Sequence, residues 1–189
     1  MAKLSAIMSF TAGLNMARLK KSIKEDTAYT VDDLDNDLLG IDRKVPGKEA
    51  AGEYTVKSGD TVICLTRSQA TIITPVTTGK YINVNFVKCI FDEKIMNAWY
   101  FCYLFNESPA VRHQMAKVQQ GSITGVSKLT LNHIGNLEIG ILPDIETQTK
   151  IGCIYKQALH TEYLMKIQAE QVKQFTLSFI NHIHKQQGE

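Results

Sequence analysis

Nowhere does this chain hold a run of about twenty apolar residues, the length a helix needs to cross a membrane. The amino-terminal stretch "MAKLSAIMSFTAGLNMARLKK" is apolar only in short pieces broken by Ser, Thr and Gly, so it fits neither a secretory signal nor a span. Cys64, Cys89, Cys102 and Cys153 lie far apart and form no C-x-x-C pair. Buried, reduced thiols in a cytoplasmic protein are the expectation. The loops of nucleotide enzymes are missing too. There is no G-x-G-x-x-G and no Walker A, and "GSITG" lacks the lysine that would hold phosphates. No G-x-S-x-G elbow occurs, which removes the common hydrolase nucleophile. A methyltransferase would need a glycine-rich cofactor loop and an Asn-Pro-Pro-aromatic motif, and neither is present. The histidines His113, His133, His160, His182 and His184 do not fall at metal-ligand spacings with Cys or Glu, and "HIH" reads as a solvated helix end. "DRK" and "DEK" echo the acidic-x-Lys ending of some nucleases, but matches of three residues arise by chance. Charge of one sign is scarce: the net is +2, from 21 Lys and Arg against 19 Asp and Glu. Such a chain is no general nucleic-acid coat, and any DNA contact must come from locally gathered basic residues.

What is present is an ordinary globular composition over 189 residues, 44% hydrophobic and 21% charged, enough for one domain and an appended element. Residues 1–50 read as irregular. Within them "YTVDDLDND" packs Asp32, Asp33, Asp35 and Asp37 together, without the glycine and closing glutamate of a calcium loop. A helix start with a solvated acidic face is expected there. From Gly52 to Ile90 the texture is that of strands: "YTVKSGDTVICLT" around a Ser-Gly-Asp turn, then "ATIITPV" and "YINVNFVKCI". In the last, Ile82, Val84 and Phe86 should share one face, with Asn83 and Asn85 on the other. Pro75 marks an edge or a bend. Two helices follow. One is the apolar "DEKIMNAWYFCYLF"; the other is "NESPAVRHQMAKV", with Ser108 at the N-cap and Pro109 at the first helical position. After them come the polar "QQGSITGVSK", a strand at "NLEIGIL", and Pro143.

From Asp144 to about Gln187 there is no proline, and Gly152 is the sole glycine. Ile151, Ala158, Met165, Val172 and Phe179 recur every seven residues. Ile154, Thr161, Gln168, Phe175 and His182 follow each by three. This is an a/d register, with Thr161, Gln168 and His182 as polar members. At ~1.5 Å per residue such a helix is about 60 Å long, more than a domain of this size can cover, so part of it should pack on another helix.

The order of polar loop, strand, "LPD" and glutamine-bearing helix start resembles one repeat of the specificity (S) subunit of type I restriction–modification enzymes. Gly121, Leu129, Leu131, Ile134, Leu137, Ile139, Pro143, Glu146, Gln148 and Ile151 take the places of that family's closing pattern. "YFCYLFNESPAVRHQMAKVQQGS" and "SGDTVICLTRSQATIIT" are similar to its preceding segments, and "TAGLNMARLK" more loosely to its amino-terminal loop. A full specificity subunit has two such domains and two such helices; this sequence has one of each. The resemblance implies an α+β fold: a mixed β-sheet target-recognition domain with flanking helices over residues 1–143, then a long coiled-coil-type helix over 144–189.

It also implies a non-catalytic role: double-stranded DNA read for a methyltransferase subunit, with a restriction subunit in complete systems. S-adenosylmethionine and ATP would bind those partners, and no cofactor or metal would bind this chain. Two copies pairing through Ile151, Ile154, Ala158, Thr161, Met165, Gln168, Val172, Phe175 and Phe179 would form a homodimer reading an inverted-repeat, bipartite site. DNA-binding candidates are polar residues in loops flanking strands, because Arg or Lys pairs with guanine and Gln or Asn with adenine. "NMARLKK" supplies Asn15, Arg18, Lys20 and Lys21. "TRSQ" supplies Arg67, Ser68 and Gln69, and "QQGSITGVSK" supplies Gln119, Gln120, Ser122, Thr124 and Lys128. Lys80, Arg112 and Lys117 could hold phosphates. Two other readings stand beside this one: a stand-alone interaction or regulatory protein without a methyltransferase partner, and a small enzyme of unrecognised type.

Overall fold

A computed structural model describes residues 2–15, 27–41, 52, 54–120 and 129–186. The chain begins with β1 (Ala2–Lys3), a 3-10 turn (Leu4–Ala6) and β2 (Met8–Ala12). Residues 1–50 are therefore not irregular throughout. The short, broken apolar run conceals two strands because β1 is only two residues long and β2, "MSFTA", alternates imperfectly. Next come α1 (Val31–Leu39), β3 (Thr61–Cys64), β4 (Gln69–Ile72) and β5 (Phe86–Phe91). The remainder is α2 (Ala98–Glu107), α3 (Pro109–Gln120), α4 (Leu131–Gly135), β6 (Glu138–Ile139) and α5 (Ile145–Gln186).

The fold is α+β. The main sheet has the order β2-β5-β3-β4, and β1 pairs with β6 in a second, two-stranded sheet. Pairings between these strands are antiparallel. Parallel geometry enters through the bridges Leu14–Asn83 and Ala28–Tyr81. β3 is buried along its whole length, so it must satisfy both faces of the sheet. Val62 and Cys64 face one cluster with Tyr29, Leu34, Ile82 and Phe86, beneath α1. Ile63 faces the larger cluster, which gathers Phe101 and Phe105 of α2, Val111 and Met115 of α3 and Ile134 of α4. The sheet is thus a central layer with helices on both faces.

Several boundaries differ from the sequence expectation. The "YINVNFVKCI" strand begins only at Phe86; Ile82 is buried, but Val84 is exposed and does not share its face. The backbone turns there, and Asn83 Oδ1 accepts a bond from Asn85 N–H. The first apolar helix starts at Ala98, not Asp92, because Asn97 caps it by accepting from Tyr100 N–H at 3.0 Å. Pro109 does open α3, and the Ser108 carbonyl accepts from Arg112 N–H. The segment after the polar loop holds α4, whose Thr130 N-cap and His133 exchange bonds in a capping box. The "NLEIGIL" strand shrinks to Glu138 and Ile139. Cys64, Cys89 and Cys102 are buried, and burial pushes the Cys89 and Cys102 thiols up; Cys153 is exposed on α5, contrary to expectation.

The acidic run is the largest departure. α1 does start there, with Thr30 as its N-cap, but its acidic face is only partly solvated: Asp32 is exposed and Asp35 half-buried, whereas Asp33 and Asp37 are buried. Asp33 closes a capping box with Thr30 and pairs with Lys80 Nζ at 2.6 Å. Asp37 accepts from Tyr29 Oη at 2.8 Å, Thr77 Oγ1 at 2.7 Å and Thr74 Oγ1 at 2.6 Å. Residues 33 and 37 are one helical turn apart and share a face, so both turn inward against polar partners that the sequence order does not reveal.

α5 spans 42 residues, about 63 Å of helix. Among the described residues, only its first part packs on the rest of the chain. Gln148 is buried and ties three places together. Its Oε1 accepts from Asn97 N–H at 2.9 Å, and its Nε2 donates to the carbonyls of Ile95 and Pro143 at 3.0 and 2.9 Å. Gly152 lies where a Cβ would come within 2.8 Å of Trp99 Cβ and Tyr100 N, so α2 and α5 approach more closely than any side chain permits. His160 Nδ1 bonds the Leu39 carbonyl at 2.8 Å, at the carboxyl end of α1. Beyond this, Met165, Val172, Phe175 and Phe179 are exposed, Phe175 at 75%.

Candidate functional site

The strand register gathers distant parts of the sequence at one end of the main sheet. Ala12 pairs with Val87, Cys64 with Phe86, and Cys64 with Gln69, so β2 ends, β5 begins, β3 ends and β4 begins together. Just past this end, Gly13 N–H donates to Phe86 O, Leu14 N–H to Ile82 O and Leu65 N–H to Asn85 O. Leu129 N–H donates to Leu65 O at 3.3 Å. Three polar segments therefore root side by side: one leaving at Asn15, the β3–β4 turn at 66–68, and one returning at Leu129. Gly13 is required at its root, because a Cβ would fall 2.1 Å from the Asn83 carbonyl oxygen.

In the β3–β4 turn Ser68 has φ +53°, a left-handed conformation uncommon for residues other than glycine. Arg67 is exposed, and its Nη1 donates to both carboxylate oxygens of Asp35, at 2.8 and 2.7 Å. A groove separates this turn from α3, with Arg67, Ser68 and Gln69 on one wall and Asn106, Glu107 and Arg112 on the other. Arg112 is also paired: its Nη2 lies 3.0 Å from Glu107 Oε2, and its Nε donates to the Asn106 carbonyl. Each arginine of the groove thus faces a carboxylate, and the groove carries little net charge.

The floor of this groove is held from α2. Asn106 Oδ1 accepts from Ala70 N–H at 2.7 Å, and Nδ2 donates to the Ala70 carbonyl at 2.9 Å. β4 is an edge strand, and the amide takes the outward-facing bonds of Ala70 as a further strand would. Asn106 Nδ2 also donates to Tyr155 Oη of α5 at 3.1 Å. Burial raises the Tyr155 hydroxyl above its ordinary range, which keeps it a neutral donor and acceptor.

Among the sequence candidates, Arg67, Ser68, Gln69 and Arg112 line the one groove. Asn15 stands at the root of a neighbouring segment, and Lys117 is exposed on α3. Lys80 points away from the groove and into Asp33, half-buried. Gln119 and Gln120 form the last turn of α3. Arg18, Lys20, Lys21, Ser122, Thr124 and Lys128 lie outside the described residues. Asn106 and Tyr155 went unnoticed in the sequence, and Asp35 was read there as part of a solvated acidic face, not as the partner of Arg67. Asn106 carries one signal: it is a polar residue one turn after Cys102, on the buried face of an apolar helix. Among the described residues no group of three or more His, Cys, Asp or Glu could hold a metal ion, and no helix is long and apolar enough to cross a membrane.

No family model matches the chain, and neither does any curated protein sequence. Solved structures do. The HsdS subunit from Thermoanaerobacter tengcongensis superposes with a TM-score of 0.52 at 14% identity, over 89% of this chain and 39% of that one. A chain from a structure on complex assembly and conformational transition of the type I R-M system gives 0.52 and 14%, over 93% of this chain and 42% of that one. The chain spans about two fifths of the length of these proteins. At that length it carries the fold of the specificity subunits of type I restriction–modification systems.

Proposed function

We propose that this chain is a non-catalytic, sequence-specific DNA-recognition subunit of a type I restriction–modification complex. Residues 1–143 make up its recognition domain, and the segment 144–189, which contains α5, pairs, spaces and docks partners. The observation that supports this reading is that Leu14, the β3–β4 turn and Leu129, from three parts of the sequence, meet at one end of the sheet that also carries the Arg67–Arg112 groove. Side chains there suit base edges in a major groove, while Lys117 and residues of the neighbouring segments suit phosphates. Ile151, the first residue of the expected seam, packs against the domain core instead; two copies joined through the rest of that seam on α5, from Ile154 to Phe179, would face two identical half-sites around an unread spacer. Methyl transfer from S-adenosylmethionine and any ATP-driven cleavage belong to partner subunits.

The test is a methylation map. The chain is co-expressed with a type I methyltransferase subunit, and the modified bases in host DNA are read. Modification at an inverted-repeat, bipartite site that disappears without this chain is the expected result. A site with unlike halves would sink the homodimer, and absence of modification with the complex intact would sink the recognition role.

One observation favours a second reading, a stand-alone interaction protein. The groove arginines already face carboxylates, which weakens their attraction for a polyanion. A steep fall of DNA affinity with salt would count against it.

A further inference from the structure

Asp35 sits between the two anchored residues of α1. Asp33 is held by Thr30 and Lys80, and Asp37 by Tyr29, Thr74 and Thr77. Both are buried, so the helix cannot shift or roll easily at this point. Asp35 lies midway, about 200° around the helix from each, and therefore projects outward from a fixed support. Among the described residues, its two oxygens accept from Nη1 of Arg67 alone. That geometry differs from the side-on pairing that occupies both arms of a guanidinium. It leaves the Nη2 and Nε edge of Arg67 directed away from Asp35. The residue that follows, Ser68, has a left-handed backbone with φ +53°.

We propose that Asp35 is a specificity-determining positioning residue: it clamps one arm of Arg67 so that the opposite edge can read a guanine. The proposal rests on the DNA-recognition reading above. A guanine offers O6 and N7 in the major groove, and a two-pronged guanidinium edge matches them. A flexible arginine would settle on any phosphate instead. The Asp35 carboxylate opposes that outcome twice, by fixing the side chain and by repelling the backbone. It thus lowers affinity for random DNA while it sharpens the choice of base. The inward and outward roles of the acidic run are then complementary: Asp33 and Asp37 hold the post, and Asp35 is the post.

The experiment is selection from a pool of random-sequence DNA duplexes by the full chain, with thermal unfolding as a control for fold. The wild type is expected to enrich a motif containing a guanine whose replacement weakens binding about tenfold. Arg67→Ala and Asp35→Ala should both lose preference at that one base pair and keep it elsewhere. They should differ on random duplex: Arg67→Ala binds it more weakly, Asp35→Ala more tightly, with a salt slope steeper by about one as the freed arginine takes a phosphate. Arg67→Lys keeps the charge but not the fork, so it should lose the guanine preference while retaining random-duplex binding. Asp35→Glu should restore most of the preference. An unchanged motif in Asp35→Ala, or in Arg67→Lys if the Asp35 variants do not fold, would overturn the proposal and leave the DNA-recognition reading intact. A wild-type chain that enriches no motif would defeat both.

Discussion

Asn106 and Ala70, 36 residues apart, are joined by two hydrogen bonds, with the side-chain amide of one closing the open backbone of the other. Ala70 is fully buried, so both of its backbone groups depend on this amide. Asn106→Leu keeps the volume and strands both groups. A loss of about 2–4 kcal/mol in denaturant unfolding is expected. A loss below about 0.5 kcal/mol would mean that water replaces the amide.

The root of α5 should be equally sensitive. Gln148→Leu removes three bonds that connect Asn97, Ile95 and Pro143, and should destabilise by about 2–4 kcal/mol. Gly152→Val pushes side-chain atoms against backbone of α2, where relief requires the helices to separate, and a cost of about 1–3 kcal/mol is expected. Amide exchange of α2 and the first turns of α5 would locate the damage. Protection unchanged in both elements would contradict the packing described.

Asp37 sets a pH dependence. Burial raises its carboxyl above the ordinary 3.8, although the bonds from Thr74, Thr77 and Tyr29 pull it back in part. A carboxyl raised in the folded state binds its proton more tightly there than in the unfolded chain. Its contribution to stability is therefore full below 3.8 and is lost as pH rises through the raised folded value. Asp37→Asn cannot titrate. Relative to wild type, the variant should improve as pH rises through that window, whatever its offset from losing acceptors. Thermal midpoints of both proteins across mildly acidic pH would check this; parallel curves would refute it.

The exposed stripe of α5 predicts self-association. Light scattering on the purified chain should give a dimer mass, and Phe175→Glu should shift it to a monomer without lowering the unfolding midpoint of the domain. A wild-type monomer at high concentration would remove the homodimer from the proposal.

The sequence by itself determined the elements whose signals are local. Pro109 opened a helix because its φ and missing N–H suit a first turn, and proline-free heptads marked α5, since helical period needs no distant partner. Pro143 marked the start of α5 for the same reason. Tertiary structure alone decided the short strands and the polar contacts. β1 and β6 are two residues each and exist only because they pair across more than 130 residues. Asp33, Asp35 and Asp37 look alike in sequence; their different fates follow from which partners the fold sets opposite them, Lys80, Arg67, and Tyr29 with Thr74 and Thr77. A charge is buried when the fold brings donors to it and exposed when it does not, and those donors come from remote parts of the chain.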